Sequence, residues 1–313
     1  MANKIQTYLA ILFLAFFSLI SPANAEVKVV TSIKPIHSLV SYVMEGVGKP
    51  DVIVDGYNSP HGFSLKPSHA KMLENADLVI WVGEDLEAFL EKPLSTIAKK
   101  AKYIEIMDLK GITKIAFREK NIFEEHDDHK EHDDHIEKDG HEGHAHGEHD
   151  PHVWLDPMNA KVIIKEITKQ LVQLDSKNSS VYKSNSKKAL SEIDKLTKKI
   201  KEDLNKDLRF VVFHDAYQYF ENRFGIQVLG ALTVNTDVMP GAEQLSEIRE
   251  VIEHEKVNCL FSEPQFNPSI IKSIAKDTNV KIGILDPLGS KLDKGKDLYF
   301  NLLNNMASSF KGC

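Results

Sequence analysis

The sequence predicts an α/β protein of two lobes with parallel sheets, joined by one long connecting helix, with a cleft between the lobes. Three observations predict it. Strand-like runs alternate with helical spacing over residues 27–107, the alternation returns from residue 209, and one polar helical stretch separates the two series. In the first series Val27 to Ser32 reads as a strand, and Ile33 to Val47 as a helix with Pro35 near its start. Asp51 to Val54 is a strand, Pro67 to Ala76 a helix opened by proline in its first turn, and Asp77 to Val82 a buried strand. A helix over Leu86 to Lys100 and a strand over Tyr103 to Met107 complete the series.

From Ser179 to Leu208 the residues Leu190, Ile193, Leu196, Ile200 and Leu204 recur every three or four positions, with lysines and glutamates filling the other face. At about 1.5 Å per residue such a helix runs about 40 Å, longer than one lobe is wide. The second series then places strands at Arg209 to Phe213, Ile226 to Leu229, Cys259 to Ser262 and Lys281 to Leu285. Helices are expected at Asp215 to Phe224, Gly241 to Glu255 and Pro268 to Thr278.

The N-terminus carries an address. Lys4 precedes an apolar run from Tyr8 to Ile20, and Ala23-Asn24-Ala25 supplies the small residues expected before a cleavage site. This is the pattern of a secretory signal peptide cleaved after Ala25. The apolar run is shorter than the roughly 20 residues of a membrane span. With no cysteine near the cleavage site, the mature chain is expected to be a soluble exported protein.

Between Glu124 and Asp150 the chain reads EEHDDHKEHDDHIEKDGHEGHAHGEHD, eight histidines among twelve carboxylates. Imidazole and carboxylate are ligands for borderline divalent metals. A tract without an apolar face is expected to stay solvated and disordered. Its twelve acids and two lysines give minus ten against minus seven for the chain, which leaves plus three elsewhere. The folded body is nearly neutral and carries no footprint for nucleic acid. The two cysteines, Cys259 and Cys313, are an even pair in an exported chain and are expected to form a disulfide. No C-x-x-C is present to support a redox role.

Open α/β sheets bind ligands beyond the carboxyl ends of their strands. His61 lies in the loop after Asp51 to Val54, His214 directly follows Arg209 to Phe213, and Asp286 directly follows Lys281 to Leu285. His152 sits where the tract re-enters the fold, in Asp150-Pro151-His152-Val153-Trp154-Leu155-Asp156-Pro157. Three imidazoles and one carboxylate make a tetrahedral zinc set. Each also has a plainer reading: His61 as a loop residue, His214 as a cap on the following helix, and Asp286 as a turn former before Pro287. Asp156 reads as an N-cap, and Glu263 is a rival for the fourth position. His37, His69 and His254 fall on expected helices without partners and read as packing or surface histidines.

The segments Pro60-His61-Gly62-Phe63-Ser64-Leu65-Lys66-Pro67-Ser68, Asp150 to Pro157, Phe213-His214-Asp215-Ala216-Tyr217 and Ser262-Glu263-Pro264-Gln265-Phe266 resemble the periplasmic zinc-binding proteins of ABC uptake systems, the ZnuA family. The likeness covers the mature chain and includes the acidic histidine-rich insertion. It implies zinc bound by the matching histidines in a cleft between two α/β lobes, and a disulfide between Cys259 and Cys313. Some members have a glutamate beside the first histidine, where this chain has Pro60. Related metal-binding proteins use a carboxylate at the position matching Asp286, so Asp286 is the expected fourth ligand, with water second.

These expectations describe a non-enzymatic, monomeric carrier of Zn2+ that serves a membrane permease with its cytoplasmic ATPase. Its divisions are a signal peptide over 1–25, an N-terminal lobe over 26–178 containing the 124–150 loop, a connecting helix over 179–208 and a C-terminal lobe over 209–313. Neutral imidazoles also suit copper and nickel, so the preference for zinc comes from the resemblance. Affinity is expected to fall below about pH 6.5 as protons compete for the imidazoles. A zinc hydrolase is the alternative from another class, yet the sequence has no H-E-x-x-H and no evident general base apart from Glu263. A buffer using the tract alone would leave the two lobes unexplained.

Overall fold

The computed structural model describes residues 26–123, 148–204, 208–234, 236 and 240–313. The expected signal peptide, and the expected disorder of the histidine-rich tract except at Glu148 to Asp150, lie outside the described residues. No helix among the described residues is long and apolar enough to cross a membrane.

Two parallel four-stranded sheets organise the chain. The first holds β1 (Val29–Ile33), β2 (Asp51–Val54), β3 (Leu78–Trp81) and β4 (Lys102–Glu105) in the order β2-β1-β3-β4. Every residue of β1 and β3 is buried, as strands covered on both faces require. The second sheet repeats the order as β6-β5-β7-β8, with β5 (Arg209–His214), β6 (Gln227–Thr233), β7 (Cys259–Ser262) and β8 (Lys281–Ile284). Along β5 the pleat sends Phe210 and Val212 into the main core and Val211 and Phe213 into a second cluster with Leu232, Leu260, Ile248 and Ile271. That division accounts for the continuous apolar run read in the sequence.

Helices α1 (Lys34–Val43), α2 (Pro67–Glu74) and α3 (Glu84–Thr96) serve the first sheet. Then come α4 (Pro157–Leu174) and the long α5 (Ser179–Asp203), followed by α6 (Gln218–Phe224), α7 (Ala242–His254), α8 (Ser269–Thr278) and α9 (Leu298–Lys311). At 25 residues α5 is about 38 Å long. It packs on α4, on α1 from the first half and on α9 from the second. The apolar residues of both halves therefore belong to one cluster that runs through this helical layer.

The halves are also tied by polar contacts. Lys34, buried at the end of β1, donates through Nζ to the carbonyls of Gly289, Ser290 and Leu292 at 2.9, 3.1 and 2.7 Å. Trp154 Nε1 donates to Pro287 O at 2.9 Å, and the Tyr299 hydroxyl to Trp154 O at 2.8 Å. A strap leads into the histidine-rich tract: Ile122 bridges Gly230 antiparallel, Phe123 N–H bonds Leu229 O, and Asn121 Nδ2 holds Ala231 O and Leu232 O. Where the tract returns, His149 bridges Ala116.

Several boundaries differ from the sequence expectation. The first helix stops at Val43 rather than Val47, ahead of Gly46 in a left-handed conformation. Strand β6 runs on to Thr233, and α6 opens at Gln218 rather than Asp215. Helix α9 was not expected, because asparagines and serines interrupt its apolar stripe of Leu298, Leu302, Leu303, Met306 and Phe310.

The disulfide joins Cys259 in β7 to Cys313, just past α9. Cys313→Ser opens a loop with a sequence separation of 54. Urea unfolding of oxidised protein should show a loss of about 4 kcal/mol on chain-entropy grounds. A second prediction concerns Glu87, fully buried where α3 kinks, whose Oε2 accepts Val82 N–H and Gly83 N–H at 2.8 and 3.1 Å. Burial outweighs those bonds and pushes its pKa up to about 7. The folded state thus holds the proton more tightly than the unfolded chain does. Stability is fully present below the unfolded carboxyl range and falls as pH rises towards 7. Glu87→Gln removes that loss, so its stability relative to the parent should be better at pH 8 than at pH 4 by on the order of 3 kcal/mol in urea melts.

Candidate metal centre

Three segments bring their imidazoles to one point. His61 stands in the β2–α2 loop, where Gly62 at φ +66° turns the chain immediately after it. His152 precedes a single 3-10 turn over Val153–Leu155. His214 is the last residue of β5, paired in register with Thr233 of β6. Ring centroids are 5.5 Å apart for His61 and His152, 5.8 Å for His61 and His214, and 5.2 Å for His152 and His214. One ligand atom from each lies within 4.8 Å of the others, which makes them the one group of three or more metal-capable side chains among the described residues.

Two of the imidazoles are backed by buried carboxylates. His152 Nδ1 lies 2.7 Å from Asp150 Oδ1, which also accepts the His152 backbone N–H at 2.9 Å. His214 Nδ1 lies 2.7 Å from Glu263 Oε1. The register between β5 and β7, which pairs Val212 with Phe261, carries on past the strand ends to set Glu263 beside His214. A carboxylate accepts, so each Nδ1 carries a proton and each Nε2 is turned inward. The two Nε2 atoms face each other at 3.3 Å. Two lone pairs at that distance repel unless a proton or a cation lies between them. Burial works against the charged form of His214, but Glu263, with help from Asp215 and Asp150, more than offsets it and raises the pKa.

Around the imidazoles stand Pro60, Trp154, Phe266, Pro287 and Leu288. They line a small, partly open cavity of about 10 Å³, space for one small species between the rings. Trp154 is fully buried and lies tilted against His152, with 5.3 Å between ring centroids. Asp156 caps α4 through Met158 N–H and receives Arg223 at 2.7 and 2.6 Å, as its N-cap pattern suggested. Behind His214, Arg118 pairs with Asp215 and Glu221, both at 2.8 Å.

Asp286 is placed apart from the histidine group. Its Oδ1 accepts from Gln265 Nε2 at 2.9 Å, Ser290 Oγ at 3.1 Å and Leu288 N–H at 3.3 Å, and its Oδ2 from Ser290 N–H at 2.6 Å. These bonds pin the turn that carries Pro287 and Leu288. His37 Nε2 is engaged by Pro50 O, and His69 Nδ1 accepts Lys66 N–H at the start of α2. Sequence reasoning missed the part played by Asp150. The signal was present in the spacing, since an Asp two residues before a His is placed to form an Asx turn. Lys34 had no such signal, because its three acceptors lie more than 250 positions away in the chain.

A family model described as zinc-uptake complex component A, periplasmic (ZnuA), matches residues 29–313. The high-affinity zinc uptake system protein ZnuA of Brucella abortus is 44% identical over 331 aligned residues, covering 100% of this chain and 99% of that protein. Its counterpart in Yersinia pestis is 38% identical and covers 94% of each. Among solved structures, a crystal structure of ZnuA superposes with a TM-score of 0.75 at 22% identity, over 92% of this chain and 99% of that one, and so supports the fold. With a family match over nearly the whole length and relatives well above the level at which fold and family diverge, this chain belongs to the ZnuA family.

Proposed function

We propose that this protein captures Zn2+ in the periplasm and delivers it to the membrane permease of a zinc ABC transporter, driven by a cytoplasmic ATPase. The observation that carries the reading is the facing pair of Nε2 atoms on His152 and His214, closed into a triangle by His61. Three neutral imidazoles are a zinc ligand set, whereas manganese would be better served by oxygen. Water takes the fourth place, because Asp286 would have to surrender hydrogen bonds from three residues to reach the ion. Hydrolysis is disfavoured by the small cavity and by the commitment of Glu263 to His214.

On this reading the chain acts as a monomer, with residues 26–178 and 209–313 as its two lobes and 179–208 as the spine between them. Residues 1–25 direct export and are removed after Ala25. The zinc uptake relatives support the periplasmic assignment and the ABC partnership. The tract over 124–150 gathers zinc weakly. Ordering a backbone around an ion costs roughly 1 to 2 kcal/mol per residue fixed, a cost the folded cleft has already met.

Replacing His214 with alanine should weaken zinc at the cleft by more than about 100-fold, since losing even an orienting partner of a ligand costs 10 to 100-fold. Competition with a chromophoric chelator, followed by the fluorescence of Trp154 beside His152, measures this directly; an unchanged affinity would remove His214 from the site. Crystals of the zinc-loaded protein, phased at the zinc edge, should show three Zn–N distances of about 2.0 to 2.1 Å and a solvent oxygen. Calorimetry of a chain lacking 124–147 should lose the weak zinc equivalents and keep one tight one. Loss of the tight equivalent in that folded variant would transfer the main site to the tract.

A further inference from the structure

Asp150 and Glu263 are more than rests for two imidazoles. A neutral carbonyl is enough to hold a histidine Nδ1–H or Nε2–H, and this protein uses one at His37, whose Nε2 meets Pro50 O. At the metal centre both backing groups are carboxylates instead. They come from different parts of the chain: Asp150 from the return of the tract and Glu263 from the end of β7. Their side chains are 0% and 1% exposed.

Neither carboxylate meets a cationic side chain among the described residues other than its own histidine. The remaining polar contacts of Asp150 are neutral, with Gln218 Nε2 donating to Oδ2 at 3.1 Å and the Tyr219 hydroxyl to its carbonyl at 2.7 Å. The neighbour of Glu263 is the Tyr217 hydroxyl, which burial, with the Glu263 charge behind it, keeps protonated. Arg118 is already engaged by Asp215 and Glu221. Lys34 is spent on three carbonyls. Two buried negative charges thus remain to be balanced by whatever the imidazoles hold.

We propose that Asp150 and Glu263 are specificity-determining residues that fix the charge the site accepts: two anions placed behind two ligands, matched to a divalent cation and mismatched to a monovalent one. The inference rests on the zinc reading of the centre. With three neutral imidazoles a dication brings the buried assembly to neutrality, Cu+ leaves one negative charge, and a trivalent ion leaves one positive charge. Uncompensated charge in a dry interior is costly, so the mismatch is felt as lost affinity. Zn2+ and Cu+ share a closed d shell and accept imidazole, so ligand type alone discriminates poorly between them. Charge is the property by which this site separates them.

Asp150→Asn and Glu263→Gln test this in the full mature chain. Each keeps an oxygen that accepts the Nδ1–H and removes only the charge; Asp150→Ala removes both. Zn2+ and, anaerobically, Cu+ affinities are measured by chelator competition with Trp154 fluorescence as the reporter of the cleft. Each charge-neutral variant should lose 10 to 100-fold in Zn2+ affinity and markedly less in affinity for the singly charged Cu+, so the Zn2+/Cu+ ratio falls. Histidine 15N spectra should show the Nδ1–H tautomer retained in both variants and lost at His152 in Asp150→Ala. Equal losses for the two ions, or Zn2+ binding as tight as the parent's, would overturn the proposal. Should one substitution prevent folding, the other decides alone, since the two carboxylates back different histidines. A parent protein with no tight zinc at the cleft would instead sink the zinc reading itself, before any variant is compared.

Discussion

A buried ammonium and a buried indole hold the two lobes together, and the metal centre depends on that grip. Lys34 takes three carbonyls of the 289–292 segment, and Trp154 takes the carbonyl of Pro287. His61 and His152 precede α5 in the chain and His214 follows it, so the distances among the three imidazoles are set by the relation between the lobes. Ligand geometry tolerates only a few tenths of an ångström. Long flexible linkers could not supply that, but a shared apolar core reinforced by charged hydrogen bonds can. The ordering cost of assembling the site is therefore met when the protein folds.

The three ligands are not equivalent. His152 and His214 are buried, and each is locked at Nδ1 by a carboxylate. His61 is half-exposed and rides on a loop that turns at Gly62. Two of the imidazoles are thus held fixed by buried partners, and the third stands on a partly exposed loop.

Much of this was legible in the sequence, for reasons that differ from residue to residue. Strands such as β1, β2 and β3 announce themselves through short apolar, β-branched runs, and placing candidates at the carboxyl ends of the strands brings His61 and His214 forward together. The capping of α4 by Asp156 followed from Asp-Pro alone. Asp286 stands at a strand end as well, and there it accepts hydrogen bonds from Gln265, Leu288 and Ser290. Such partnering is settled by tertiary distances that no spacing encodes. The pairing of Glu263 with His214 likewise needed the β5–β7 register, and the Lys34 clamp needed the packing of opposite ends of the chain.

The strap beside β6 gives the fold an indifference to length. Both flanks of the 124–147 segment are anchored, Ile122 to Gly230 of β6 and His149 to Ala116. Closing such an excursion costs only about 0.6 kcal/mol for each doubling of its length. Asn121 and Ile122 meanwhile occupy the outer edge of β6, a row of backbone groups that would otherwise be open to pairing with another chain. Segments of different length can thus close between the same two anchors at little cost in chain entropy.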